Sequence, residues 1–225
     1  MRALIVGGSP EPSSAATVRA AAAGCDAVVA VDRGLDALLA ARVPVDLFCG
    51  DADSVSPAGA SLVRAAERGA ADFEVERYDP RKDATDLALA LSAVRARWGE
   101  APVRCTCLSG GNPDHALAAL GRLAGWGAAV EIEEDAFSGR VLRAGLFWEP
   151  ASGRRPAPMG ARFSFIPLTA SAVVSERGMR WALDRARVPL LSDLGISNVI
   201  ERADARVSCH EGTIACWAFL RPFAD

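Results

Sequence analysis

Val45-Asp46-Leu47-Phe48-Cys49-Gly50-Asp51-Ala52-Asp53-Ser54 joins an apolar run to a glycine and then to two carboxylates two residues apart. The run reads as a buried strand, and Gly50 lets the chain turn sharply at its end. In an extended or turning backbone, residues i and i+2 face the same way, so Asp51 and Asp53 are expected side by side at the strand's carboxyl end. Two close like charges are costly unless something neutralises them. A hard divalent cation does so, and Mg²⁺ favours one or two carboxylates together with substrate phosphates. An Asx-turn leading into the next helix is the alternative reading of the same residues.

Working outward, apolar runs and helical periodicities alternate. Strands are expected at residues 2–6, 27–31, 46–49, 73–78, 103–108 and 128–132. Helices are expected at residues 14–23, 35–42, 61–68, 84–98 and 114–125. This alternation predicts an α/β domain with a mostly parallel sheet over residues 1–135. In such sheets the site lies outside the carboxyl ends of the strands. Acids recur at that edge: Asp32 after Val28–Val31, Asp51 and Asp53 after Cys49, and Asp114 after Leu108 and its glycine pair. Beyond residue 136, short runs punctuated by Gly and Pro predict a small antiparallel domain over residues 136–225, with one of its strands at residues 188–191.

Two further segments carry chemistry. In Arg81-Lys82-Asp83-Ala84-Thr85-Asp86, either Asp83 caps the following helix and Asp86 is an acid favouring its N-terminus, or Asp86 faces the acidic edge as a further metal ligand. Lys82 is the only lysine in a chain whose Lys and Arg total 25, which suits a compact charge held against phosphate. Gly110-Gly111-Asn112-Pro113-Asp114-His115 joins a strand to a helix, where glycines admit close approach and a helix N-terminus favours phosphate. In the second domain, Trp181 is either a core residue or a platform for a flat heterocycle near Ser197 and Asn198.

Composition narrows the function classes. The chain has 225 residues, 51% hydrophobic and 24% charged, with net charge −3. That suits a globular protein and argues against a broad basic nucleic-acid surface. No run approaches the ~18 apolar residues of a membrane span. The N-terminal run is too short for a signal peptide, and a cytoplasmic protein is expected. The six cysteines lack zinc or CxxC spacing and read as small buried hydrophobes.

The ordered set resembles the thiamine pyrophosphokinase family. It comprises Val31-Asp32-Arg33-Gly34-Leu35-Asp36, Gly50-Asp51-Ala52-Asp53-Ser54, Lys82-Asp83-Ala84-Thr85-Asp86, the Gly110–His115 segment, Gly178-Met179-Arg180-Trp181-Ala182-Leu183 and Ser197-Asn198. The resemblance implies an ATP-binding α/β domain, a C-terminal β-sandwich and a homodimer with thiamine bound between subunits. It implies transfer of diphosphate from ATP to thiamine, releasing AMP. Asp51, Asp53 and Asp86 would hold Mg²⁺, with Asp114 also catalytic. Asp32, Arg33, Gly34, Lys82, Asp83, Gly110, Gly111 and Asn112 would contact ATP. Trp181, Ser197 and Asn198 would contact thiamine. The chain departs from the family at Asn112, where arginine is common, and at Asp36, where asparagine is common. A diphosphokinase for another heterocyclic alcohol such as a hydroxymethylpterin, and a non-catalytic nucleotide or thiamine sensor, are the alternatives.

Overall fold

The computed structural model describes residues 1–79 and 83–222. The chain divides into two compact units, the first Met1–Ala129 and the second beginning at Val130.

In the first unit, four largely buried strands and one partly exposed, polar edge strand (Glu74–Arg77) alternate with helices. The elements are β1 (Ala3–Val6), α1 (Ala15–Ala22), β2 (Ala27–Val31), α2 (Gly34–Ala41), β3 (Leu47–Gly50), α3 (Pro57–Glu67), β4 (Glu74–Arg77), α4 (Asp86–Trp98), β5 (Val103–Thr106) and α5 (Pro113–Ala124). The sheet order is β5-β1-β2-β3-β4, and every pair is parallel. Strand period two divides the sheet's faces. Leu4, Val6, Ala30 and Phe48 pack with Val18 and Ala21 of α1, Leu35, Leu38 and Ala41 of α2, and Val63 of α3. Ile5 and Val29, one residue out of phase, lie outside that cluster, and α4 packs against β2 and β3. Helix α3 begins a turn earlier than expected, because Ser56 caps it through the Gly59 N–H and Pro57 sits at its first turn.

The second unit has two antiparallel sheets. Its strands are β6 (Val130–Glu133), β7 (Phe137–Arg143), β8 (Phe147–Trp148), β9 (Ala161–Pro167), β10 (Ser171–Arg177), β11 (Leu183–Pro189), β12 (Asn198–Val199), β13 (Arg206–Glu211) and β14 (Thr213–Pro222). One sheet runs β6-β7-β14-β9-β12, the other β8-β13-β10-β11. Phe163, Phe165, Ile214 and Cys216 of the first join Ala172, Val174, Val207 and Cys209 of the second in one apolar core. This is the expected β-sandwich. One strand differs from expectation. Leu190 and Leu191 form a turn, and β11 lies earlier in the polar run Leu183–Pro189. As the end strand of its sheet, β11 is largely solvated and needs no apolar alternation.

Candidate functional site

The chain lays down β1 to β4 in one direction, then places β5 on the other side of β1. The order therefore reverses between β1 and β5, where open α/β sheets bind ligands beyond their carboxyl ends. A cleft of about 740 Å³ lies there. Its walls are Gly7–Pro10 after β1, Asp32 after β2, Asp51, Asp53 and Ser54 after β3, Cys107 and Leu108 after β5, and the segments leading into α4 and α5. Among the described lining residues none is Lys or Arg.

The acids are set by tight turns. Asp32 is 8% exposed and has φ of 44°, so the chain reverses as β2 ends. Its Oδ1 accepts from the Ala52 N–H at 3.2 Å. Gly50 faces this carboxyl so closely that a Cβ there would lie 1.8 Å from Asp32 Oδ1. The glycine thus provides room for the acid as well as the turn. Burial raises the proton affinity of Asp32. The charge of Asp86 and a hydrogen bond with it, followed by the charge of Asp51, raise it further against the Ala52 amide. The Asp53 N–H donates to Asp51 Oδ1 at 3.0 Å, which is the Asx-turn, and both residues line the cleft. The turn and the paired-acid readings therefore coexist.

Other residues of these loops serve the scaffold. A Cβ on Gly34 would meet Val6 O at 2.0 Å, so this glycine lets α2 cross β1 closely. Arg33 Nε donates to Ser54 O at 3.3 Å, tying the Asp32 and Asp53 loops together. Neither Arg33 nor Gly34 lines the cleft. Asp36 accepts from the Ser56 hydroxyl at 2.5 Å and from the Ser56 N–H at 2.8 Å, linking α2 to the start of α3.

Two helix N-termini complete the cleft. Thr85, rather than the expected Asp83, caps α4 by accepting from the Ala88 N–H at 3.3 Å. Asp83, Thr85 and Asp86 line the cleft, whereas Arg81 and Lys82 fall outside the described residues. Asn112 is the cap residue of α5 but makes no side-chain capping bond, and it faces the cleft with Gly110, Gly111 and His115. Asp114 is exposed in the first turn of α5 and is not among the lining residues. Gly7-Gly8-Ser9-Pro10 lines the cleft although it was not among the expected site residues. Its signal was the glycine pair directly after the first strand: a Cβ on Gly7 would lie 2.6 Å from Cys107 O. Among the described residues, no three His, Cys, Asp or Glu side chains form a preformed metal cage.

Trp181, Ser197 and Asn198 lie in the second unit. Trp181 is 58% exposed, so it is not a core residue. Ser197 has φ of 61°, and its N–H donates to Ser164 Oγ at 3.0 Å. Asn198 is 4% exposed. Its amide bonds to both backbone groups of Trp181, to the Val199 N–H and to Glu176. Sequence reasoning missed Glu176, which is buried on β10 and whose carboxyl burial pushes up to about 7.

A family model for the catalytic domain of thiamin pyrophosphokinase matches residues 18–132, and one for its vitamin B1 binding domain matches residues 153–214. No curated protein matches the sequence significantly. Among solved structures, a thiamine pyrophosphokinase from Bacillus subtilis is 21% identical with a TM-score of 0.79, the match covering 98% of this chain and 100% of that one. A thiamin pyrophosphokinase family protein from Enterococcus faecalis is 25% identical with a TM-score of 0.73, covering 97% and 99%. Thiamin pyrophosphokinase from Candida albicans shares the fold at 12% identity and a TM-score of 0.72, covering 98% and 90%. With one family model spanning more than half of it, the chain belongs to the thiamin pyrophosphokinase family, a family of diphosphotransferases.

Proposed function

We propose that this protein transfers diphosphate from ATP to the hydroxyl of thiamine in a Mg²⁺-dependent reaction, giving thiamine diphosphate and AMP. The observation that carries this reading is the acid-lined cleft at the sheet's switch point. A triphosphate cannot enter a site lined by Asp32, Asp51, Asp53 and Asp86 unless its charge is offset. The described lining residues offer no Lys or Arg for that purpose. The donor set therefore fits Mg²⁺, which needs few protein carboxylates because phosphate oxygens and water fill the remaining positions. Asp51, Asp53 and Asp86 would hold the ion, which supplies charge neutralisation and alignment of the phosphates.

The chain's own groups position the nucleotide. Gly110, Gly111 and Asn112 bring backbone close to the phosphates at the start of α5, and the N-terminus of α4 adds a second partial positive charge. Asp32 and Asp83 line the nucleotide's side of the same cleft. Lys82 adds a compact positive charge in this reading. The thiamine hydroxyl attacks the β-phosphorus and loses its proton. The bond from that phosphorus to the oxygen it shares with the α-phosphorus breaks, AMP leaves with the electron pair, and the hydroxyl proton is released to solvent. Such transfers depend on positioning and electrostatics more than on covalent chemistry. Asp114 is the weakest member of the expected catalytic set, because it is exposed and outside the cleft lining.

Trp181 offers an exposed ring for the thiamine pyrimidine, with Ser197 on the neighbouring turn. A homodimer is part of this reading. Leu190, Leu191, Leu194 and Ile196 cluster in one exposed segment of the second unit, an apolar patch suited to a second copy. The six free cysteines suit a reducing cytoplasm, and no described helix is long and apolar enough to cross a membrane. Calorimetry of ATP binding tests the charge reasoning. ATP should bind in the presence of Mg²⁺ and lose its affinity on chelation. Equal binding with and without the ion would refute the role given to the acids.

A further inference from the structure

Trp181 is pinned by its backbone. Its N–H donates to Asn198 Oδ1 at 3.0 Å, and its carbonyl accepts from Asn198 Nδ2 at 2.8 Å. Asn198 Oδ1 also accepts from the Val199 N–H at 2.9 Å, and its remaining N–H goes to Glu176 Oε2 at 3.0 Å. A side-chain amide has two donor hydrogens and two acceptor lone pairs. All four are spent inside the protein, so Asn198 has none left for a substrate's edge. The connection around Trp181 is otherwise held by backbone bonds, with Arg180 N–H on Val199 O and both Glu201 N–H and Arg202 N–H on Gly178 O.

Glu176 is the last link. It is 2% exposed, and its Oε1 is buried without a hydrogen-bond partner among the described residues. Burying a carboxyl with one oxygen unsatisfied is costly, and an apolar residue of similar size would suit a sandwich core as well or better. Among the described residues, this carboxyl accepts its hydrogen bond from Asn198. We propose that Glu176 is a positioning residue for thiamine: it fixes the Asn198 amide, which holds the Trp181 backbone and so presents the indole ring to the substrate. This rests on the reading of Trp181 as the thiamine platform.

The test compares Glu176→Leu, Glu176→Gln and Trp181→Ala, and combines the first with the third. Glu176→Leu should raise the KM for thiamine about tenfold, the scale of one hydrogen bond's contribution, and leave the KM for ATP unchanged. Glu176→Gln keeps an acceptor for Asn198 and should restore the wild-type value. In the Trp181→Ala background, Glu176→Leu should add no further loss. Hydrogen exchange supplies a readout independent of thiamine. The Trp181 amide should lose protection in Glu176→Leu while amides of β10 and β13 keep theirs. An unchanged KM for thiamine in Glu176→Leu, or a loss that persists in full without Trp181, would overturn the inference. If Trp181→Ala leaves the KM for thiamine unchanged, the thiamine-platform reading fails. The exchange result then still decides whether Glu176 positions the Trp181 segment, and an unchanged Trp181 amide overturns that as well.

Discussion

Replacing Gly50 by alanine is expected to damage the cleft through one contact. The new Cβ would sit 1.8 Å from Asp32 Oδ1, against an ordinary contact of 3.4 Å, so the carboxyl must retreat by about 1.6 Å. Asp32 is buried and has little room to do so without giving up the Ala52 N–H. Gly50 also has φ of 150°, which alanine rarely adopts. Backbone strain of about 1–3 kcal/mol and a lost hydrogen bond of about 1 kcal/mol together predict a loss of about 2–4 kcal/mol. A displacement above an ångström among groups that position a substrate predicts a fall of about 10²-fold in kcat/KM for ATP. Gly69→Ala is the control. It has φ of 70° with nothing within 4 Å of the added methyl, so it carries backbone strain without the clash. Urea unfolding gives stability from the midpoint at constant m, and steady-state kinetics gives the second number. Equal losses in the two variants would refute the steric reasoning. A destabilised Gly50→Ala with full activity would remove Asp32 from the machinery.

Asp53→Asn should lower transfer by at least about 10²-fold while shifting stability by no more than about 0.5 kcal/mol, because Asp53 is exposed and its backbone bond to Asp51 survives. Kinetics beside an unfolding curve checks both. Thr85→Ala should cost about 1 kcal/mol through loss of the α4 cap, measured by urea unfolding. Glu176 predicts a pH dependence. Burial raises its carboxyl from 4.5 to about 7. The protonated form is favoured in the fold, so this contribution is complete below about pH 4.5 and is lost as pH rises through about 7, a change of about 3 kcal/mol. Asn198, which donates to Glu176, does not titrate. Cys216 of β14 senses its charge but stays neutral there, since burial and Glu176 hold its thiol well above the ordinary value. Glu176→Gln should lack this slope, and parallel stability curves for the two proteins across that range would contradict it.

The first unit was legible because most of its strands, though not the edge strand β4, are buried on both faces. Apolar runs such as Ala27–Val31 then mark strands directly. Asp83 and Asp86 were read from the segment that opens α4, whereas Asp32, Asp51 and Asp53 were legible because each follows such a run. Asp114 follows the same pattern but lies one residue inside α5, on exposed surface. A strand-end rule cannot distinguish the two outcomes. Edge strand β11 escaped because solvent on its face removes the alternation, and two-residue β12 is too short to have one. The role of Asn198 was hidden for a different reason. Its partners Trp181 and Glu176 are 17 and 22 residues away in sequence, and only the fold of the sandwich brings them together.

Nucleotide product analysis with Mg²⁺, ATP and thiamine tests the proposed reaction most directly. AMP and thiamine diphosphate should appear in equal amounts, and only when all three components are present. ADP with thiamine monophosphate would show the wrong bond being cleaved. Absence of turnover with thiamine, together with turnover of a hydroxymethylpterin, would contradict the substrate itself.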